Sequence, residues 1–285
     1  MSNPIPKRII QTGKTANHSV RARATVANLR LLHPDYEYVF FDNPAVERFI
    51  DEEFPQYRAV FDAFPFRIQK YDFFRYLAVY HYGGFYFDLD VLLASDLSGL
   101  LEYGCLFPFE GLTFSRYLRT EYNMDWEIGN YAFGAAEGHP FLREVIGNCV
   151  KAQTDPEWMK PMMEHLPFLS REDFRVLNST GPGLISRTLA ENPEIAKTVK
   201  VLFPQDVCDS SSWNCFGDIG IHLMEGSWRQ GSRIRRRLTN YLEAWYQRGL
   251  EKESRLSGPR RSVPAQLSGQ SDERRPQAVA AKNLP

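Results

Sequence analysis

A chain of 285 residues, 43% hydrophobic and 24% charged, can bury one sizeable core or two lobes about a cleft, but not three domains. A formal net charge of −1 argues against capture of nucleic acid by bulk electrostatics. Four cysteines without a CxxC spacing suggest neither a zinc knuckle nor a disulfide framework. Cys208 and Cys215 have a spacing that permits a disulfide in an oxidising compartment, but free buried thiols are the expectation. The N-terminal MSNPIPKRIIQ lacks a long apolar h-region, and no run of about 18 apolar residues occurs anywhere. The expectation is therefore a soluble, cytoplasmic protein without a secretory signal or a transmembrane helix. Aromatic residues make up 14%, which suits a sugar-handling cleft and a plain core equally.

From the N-terminus, Pro6 to Thr12 reads as a short strand, apolar at Ile9 and Ile10 and polar at its end. A helix is expected from Ser19 to His33, and Glu37 to Asp42 has the aromatic, β-branched character of a buried strand. Asn43-Pro44 then reads as an N-cap followed by proline at the first helical position. Strand, helix, strand, helix is the order of an α/β layer fold with a parallel sheet. Arg67 to Tyr82 is the clearest helix, and Gly83-Gly84 suit a left-handed C-cap. Phe85 to Leu93 reads as one strand with two aspartates set into it.

Residues 98–175 carry weaker signals: a helix from Pro140 to about Gln153, with aromatic loops around it that suit an acceptor-binding lobe. A helix after Gly181-Pro182-Gly183, strands at Val199–Phe203 and Ile219–Leu223, and a last helix from about Arg229 to Gln247 follow. That last helix is rich in arginine (Arg233, Arg235, Arg236 and Arg237), which coats a solvated face or offers peripheral contact to a membrane surface. Near Glu251 the composition turns to Ser, Pro, Gly, Gln, Arg and Ala. Such a segment buries too little apolar surface to offset its ordering entropy, so residues 250–285 are expected to be a disordered polar tail. No internal repeat is present.

The chemistry centres on Tyr86-Phe87-Asp88-Leu89-Asp90. Aspartate is poor in strand interiors, yet two stand here between aromatic and aliphatic runs. With a period of two, both carboxylates would project to the same side of the chain. Their repulsion needs compensation, and Mn²⁺ or Mg²⁺ supplies it through hard oxygen ligands while bridging to diphosphate oxygens. A bare D-x-D is equally compatible with a strand end carrying two solvated carboxylates. On the preceding helix Asp72 and Arg75 are three apart and share a face. They can hold sugar hydroxyls and phosphate oxygens, or form a local ion pair worth a few tenths of a kcal/mol. Downstream, His222 at a strand end can complete a metal shell or act as a structural histidine. Ser227 and the indole N–H of Trp228 can donate to phosphate oxygens.

Taken together these segments resemble family 32 glycosyltransferases. The segments that carry the likeness are Ile5 to Thr12, Asp72-Phe73-Phe74-Arg75-Tyr76, Gly83 to Val91, Ser179-Thr180-Gly181-Pro182 and His222 to Trp228. The family includes fungal α-mannosyltransferases and bacterial capsular sugar transferases, and is related to the large clostridial glucosylating toxins. The resemblance spans residue 5 to about 230, with the motifs in the family's order. It implies a GT-A fold, in which a Rossmann-like nucleotide-binding sheet with flanking helices joins an acceptor-side lobe, within a catalytic domain of residues 1–249. It implies transfer with retention of configuration. By the family pattern Asp90 ligates the metal, Asp88 contacts donor ribose or sugar and reaches the metal less directly, and Asp72 and Arg75 hold the transferred sugar. His222 falls at the late metal-side position, Ser227 and Trp228 at diphosphate contacts, and Gln11 and Thr12 at the nucleoside pocket. Tyr86 belongs to the donor-binding set, and Asn130 falls near the reacting sugar. The chain departs from the family in having Gln-Thr-Gly-Lys where His-Gln-Thr-Trp is frequent, and the N-terminal membrane anchor of the secretory-pathway members is not expected in it.

The expected function is metal-dependent transfer of a hexosyl group from a UDP- or GDP-sugar to a hydroxyl acceptor: a glycan, a glycolipid or a small molecule. The rivals are a non-catalytic nucleotide-sugar-binding module and a sugar nucleotidyltransferase. The second would need a glycine-rich basic loop after the first strand, which Gln11-Thr12-Gly13-Lys14 does not supply.

Overall fold

Short aromatic and β-branched runs at the N-terminal end pair in register. In the computed structural model, which describes residues 3–164, 166, 171–205, 207, 209 and 212–224, β1 (Arg8–Thr12) lies parallel to β2 (Glu37–Phe41). Between them runs α1 (Val20–Leu32), whose N-cap Ser19 accepts from the backbone of Ala22. The helix after β2, α2 (Asn43–Glu53), is capped by Asp42 rather than Asn43, with Pro44 inside its first turn. Two further helices, α3 (Arg58–Ala63) and α4 (Arg67–Tyr82), lead to β3 (Gly84–Phe87), which pairs parallel to the other edge of β1.

The single strand expected over Phe85–Leu93 is two strands. β3 stops at Phe87, Asp88–Asp90 make a turn in which the Val91 amide donates to Asp88 O at 3.2 Å, and β4 (Val91–Leu93) enters a different sheet. Aspartate favours turns over ladders, so the pair ends the strand instead of riding within it.

β5 (Cys105–Leu112), α5 (Arg116–Glu121), β6 (Trp126–Ile128) and β7 (Ala132–Ala135) follow in the chain. The main sheet is mixed where a parallel sheet was expected, because β6 and β7 run against the other strands. β7 inserts antiparallel between β3 and β5, giving the order β2-β1-β3-β7-β5-β6. Helices α6 (Pro140–Thr154), α7 (Pro156–Met163), α8 (Arg171–Ser179), α9 (Pro182–Glu191) and α10 (Pro193–Ala196) precede β8 (Lys200–Leu202), which pairs parallel to β5. β9 (Cys215–Phe216) and β10 (Gly220–His222) join β4 in a separate three-stranded antiparallel sheet. The α/β class and the Rossmann-like β1-α1-β2 half are as expected; the reversed directions of β6 and β7 in the main sheet are not.

Alternation along the strands buries both faces of the main sheet. Ile10, Tyr86, Phe107 and Phe133 belong to a core shared with α2, α4, α6 and α9. Ile9, Phe85, Phe87 and Leu106 belong to a second core on the opposite face, with Leu29 of α1 and with Phe216. Cys105 and Cys149 are buried free thiols and Cys215 is a partly exposed one. Cys208, Ser227, Trp228, the arginine-rich segment expected to form a last helix and the expected polar tail lie outside the described residues. No described helix is long and apolar enough to cross a membrane.

Gly83 and Gly84 turn α4 directly into β3. Gly83 has φ +63° and donates to Val79 O at 2.9 Å, closing the helix, while Gly84 has φ +111°. A Cβ on Gly84 would lie 2.7 Å from Arg8 O, so only glycine lets β3 approach β1 there. Gly84→Ala is therefore expected to cost about 1–3 kcal/mol, read as a lower urea midpoint. An unchanged midpoint would show that this backbone tolerates a side chain.

Candidate active site

The turn at the end of β3 brings three ligand-type side chains together. Asp88 is anchored by its amide, which donates to Tyr131 O at 2.7 Å across the β3–β7 ladder. After the turn, β4 pairs with β10, placing His222 opposite Val91. The amide of Leu223 donates to Asp90 O at 2.9 Å, and His222 Nε2 lies 3.3 Å from Asp90 Oδ1. One potential ligand atom from each of Asp88, Asp90 and His222 lies within 4.8 Å of the others. Two carboxylate oxygens and an imidazole at this spacing, all partly exposed, fit a hard divalent cation.

The strand expected at Ile219–Leu223 is β10 (Gly220–His222), which belongs to the small sheet, and Ile221 and Leu223 are exposed. What carries His222 to Asp90 is the antiparallel β4–β10 pairing, which starts directly after the Asp88–Asp90 turn. The Tyr131 ring stacks on the imidazole, with centroids 4.3 Å apart at 17°. Burial opposes protonation of His222, but hydrogen bonding and charge from Asp90, with Asp88 and Glu110 behind it, hold its pKa above the ordinary histidine range.

Behind Asp88 lies a buried polar network. Arg75, 3% exposed, places Nη2 at 3.1 Å from Asp72 Oδ1 and 3.3 Å from Asp88 Oδ1. Its Nη1 donates to Asn130 O at 2.8 Å and to Asp88 Oδ2 at 3.3 Å. Asp72 accepts from Asn130 Nδ2 at 3.2 Å and from Thr180 Oγ1 at 2.9 Å. The Tyr86 hydroxyl donates to Asp88 Oδ1 at 2.8 Å, and the Arg75 guanidinium sits over the Tyr86 ring. The Asp72–Arg75 pair is thus far from a solvated i, i+3 contact: it joins α4, the end of β3, the loop before β7 and the junction between α8 and α9.

Gln11 and Thr12, at the end of β1, are both buried. Gln11 Nε2 donates to Phe87 O at 3.3 Å and Asp88 O at 3.4 Å, and Tyr38 donates to Gln11 Oε1 at 3.0 Å. Gln11 thereby braces the turn from the side opposite Asn130. Thr12 Oγ1 donates to Phe41 O at 2.9 Å. The structure brings Asp72, Arg75, Tyr86, Asp88, Asp90, Asn130 and His222 into one cluster with Gln11 at its edge, while Ser227 and Trp228 lie outside the described residues.

Sequence reasoning gave no role to Tyr76, Thr180 or Tyr131. Tyr76 accepts from Asn130 Nδ2 at 2.8 Å and donates to Thr180 O at 2.7 Å. Its signal was its position four residues after Asp72, on the same helix face. Tyr131 follows Asn130 directly. Thr180 carried no local signal of a contact with Asp72, 108 positions away.

Burial pushes the Asp72 carboxyl up to about 6, against the pull of Arg75 and the Thr180 hydroxyl. A carboxyl raised in the folded state takes up a proton on folding between its unfolded pKa and about 6, so its contribution to stability falls as pH rises through that window. Arg75→Leu would leave Asp72 and Asp88 uncompensated, at a cost of about 3–5 kcal/mol at neutral pH. The deficit should shrink at pH 5, where Asp72 can be neutralised. Denaturation at both pH values checks this; an equal loss at the two would exclude an ionised Asp72 in the native pair.

With this geometry in place, the likeness to known proteins can be located on it. The family model "Glycosyltransferase sugar-binding region containing DXD motif" matches residues 19–106, from α1 through the Asp88–Asp90 turn into β5. Inositol phosphoceramide mannosyltransferase 3 of Schizosaccharomyces pombe is 33% identical over 185 residues, 65% of this chain and 45% of that protein. Inositol phosphoceramide mannosyltransferase 2 of the same organism is 31% identical over 209 residues, 71% of this chain and 53% of that one. The chain thus spans about half the length of these relatives. Among solved structures, PaToxG Glycosyltransferase overlays 67% of this chain and 70% of its own at 17% identity, with a TM-score of 0.45. The matched segment ends just beyond the carboxylate turn that organises the site, and over it the chain is similar to DXD-containing glycosyltransferases.

Proposed function

We propose that this chain transfers a hexosyl group, with retention, from a nucleotide diphosphate sugar to a hydroxyl acceptor, and that it requires a divalent cation. The observation that carries the reading is the convergence of Asp88, Asp90 and His222, with Asp88 tied to the buried Asp72–Arg75 pair. A bound Mn²⁺ or Mg²⁺ would neutralise charge developing on the departing diphosphate. Asp90 and His222 would hold it most directly, with Asp88 fixed beside them by Arg75 and Tyr86. Asp72 and Asn130 close the sugar end, Gln11 and Thr12 lie on the nucleoside side, and Ser227 and Trp228 supply donors to the diphosphate.

Among the described residues no side chain presents itself as an unambiguous nucleophile, which favours front-face attack. In that route the leaving phosphate oxygen takes the proton from the acceptor hydroxyl as the new glycosidic bond forms. The relatives named as mannosyltransferases make mannosyl donors the first to test within a panel of UDP- and GDP-sugars. Donor hydrolysis that requires Mn²⁺ supports an enzyme; binding without turnover under any condition would make the chain a sugar-nucleotide-binding module.

Two variants divide the metal assignment. Asp90→Asn should abolish transfer and Mn²⁺-dependent donor binding while far-UV dichroism stays native; near-normal turnover would end the assignment. His222→Ala should raise the Mn²⁺ concentration for half-maximal activity by about 10-fold or more, with partial recovery at excess metal. A purely structural histidine would instead lower Tm and leave the metal requirement unchanged.

A further inference from the structure

Beyond its charge near His222, Glu110 has no part in the reading above, yet it stands at the same edge of the sheet as Asp88. β3 and β5 both run antiparallel to β7, so their C-terminal ends reach one edge. Glu110 lies near the end of β5, at the register shift between Phe109 and Gly111 in the pairing with β6. The loop carrying Asn130 crosses beside it, with the Gly129 amide donating to Pro108 O at 2.8 Å. Along this edge the order is Gln11 on β1, Asp88 just after β3, Asn130 before β7, then Glu110 on β5. Glu110 is therefore on the side of the reacting centre away from the nucleoside.

Its carboxylate is placed with little latitude. A Cβ on Gly129 would fall 2.3 Å from Glu110 Oε2, so the glycine directly before Asn130 is what leaves room for that oxygen. Oε2 is buried and has no hydrogen-bond partner among the described residues. The neighbouring Glu127 offers a contrast, since it accepts from Thr113 Oγ1 at 2.6 Å. A buried carboxylate oxygen without a donor is costly, and such groups are retained where a ligand completes them. A metal is not that ligand's first claimant, because the cluster with metal-like spacing is Asp88, Asp90 and His222 without Glu110. A diphosphate is anionic and would be repelled. Neutral hydroxyl donors remain, approaching from the acceptor side.

Resting on the glycosyltransferase reading, we propose that Glu110 is an acceptor-binding residue that accepts hydrogen bonds from hydroxyls of a sugar or cyclic polyol and so selects which hydroxyl faces the transferred sugar. It takes no proton and forms no bond to carbon. The charge and the two acceptor oxygens are the recognition elements, and glutamine reproduces the shape but replaces one acceptor with a donor.

The test uses the full chain, Mn²⁺ and whichever nucleotide sugar the wild type hydrolyses, with methyl α-D-mannopyranoside and myo-inositol as acceptors. Transfer, hydrolysis, acceptor KM and Tm are measured for wild type, Glu110→Gln and Glu110→Ala. The ratio of transfer to hydrolysis should fall about 10-fold or more in both variants, chiefly through acceptor KM, as when a site loses a hydroxyl-binding partner. Ratios within about twofold of wild type would overturn the proposal, whether or not Tm falls, because Glu110 would then serve only the fold. Wild-type protein that hydrolyses a donor but transfers to neither acceptor overturns it as well. Absence of metal-dependent donor hydrolysis in the wild type is a distinct result, which removes the glycosyltransferase reading itself.

Discussion

A guanidinium that has left water sets the terms for everything near it. Arg75 is buried with two carboxylates, a backbone carbonyl and an aromatic face around it. Desolvating that charge is expensive, and only a nearly complete set of partners makes the arrangement tolerable. The partners come from separated parts of the chain: Asp72 from α4, Asp88 from the end of β3, Asn130 from the loop before β7. Thr180 joins through Asp72. Each must be in place for the others to be neutralised, so the network specifies the relative positions of the sheet and of helices α4, α8 and α9. It is a poor source of net stability and a strong source of geometric definition.

Stability comes instead from the aromatic layers on either face. Phe85 and Phe87 stack against each other on one side, and Phe107 and Phe133 stack face to face on the other. Each fully buried ring contributes roughly 1.5–3 kcal/mol relative to exposure. The strand Gly84–Phe87 thus carries apolar anchors on both faces and delivers a charged turn at its end. The sheet supplies rigidity, and the turn, where the ladder stops, supplies the polar groups that a ladder interior would exclude.

How much of this was legible depended on whether the determining contact was local. The helix Arg67–Tyr82 and its glycine C-cap follow from sequence alone, because periodicity and the left-handed preference of glycine act within a few residues. The β1-α1-β2 unit follows for the same reason. Residues Phe85–Leu93 were misjudged because strand propensity describes Phe85 to Phe87 and Val91 to Leu93 equally well. Nothing local says that the two halves join different sheets. β5 was not recognised because Pro108 and Gly111 interrupt its pattern and its pairing partners lie far along the chain. Among site residues, Asp72, Arg75, Asp88 and Asp90 stand out through spacing in adjacent elements. Thr180 and Glu110 do not, because their meaning arises only when remote segments meet.

The Asp88–Asp90 turn also explains how a site can be shared between two sheets without being loose. Tyr131 bridges them: its carbonyl accepts the Asp88 amide, its ring stacks on His222, and its hydroxyl donates to Cys215 O at 3.0 Å. Asp88 is thereby fixed from the main sheet, by Arg75, Tyr86 and Tyr131. Asp90 and His222 are fixed mainly by the small sheet, through the Leu223 amide and the β4–β10 pairing. Relative movement of β9 and β10 would change the separation of His222 from Asp88 while leaving Asp88 and its buried partners unmoved. Asp88 and its buried partners are thus built on the main sheet, and His222 on the smaller, more exposed one. A displacement at His222 would leave the buried charges behind Asp88 in place, and exposing those charges would cost far more.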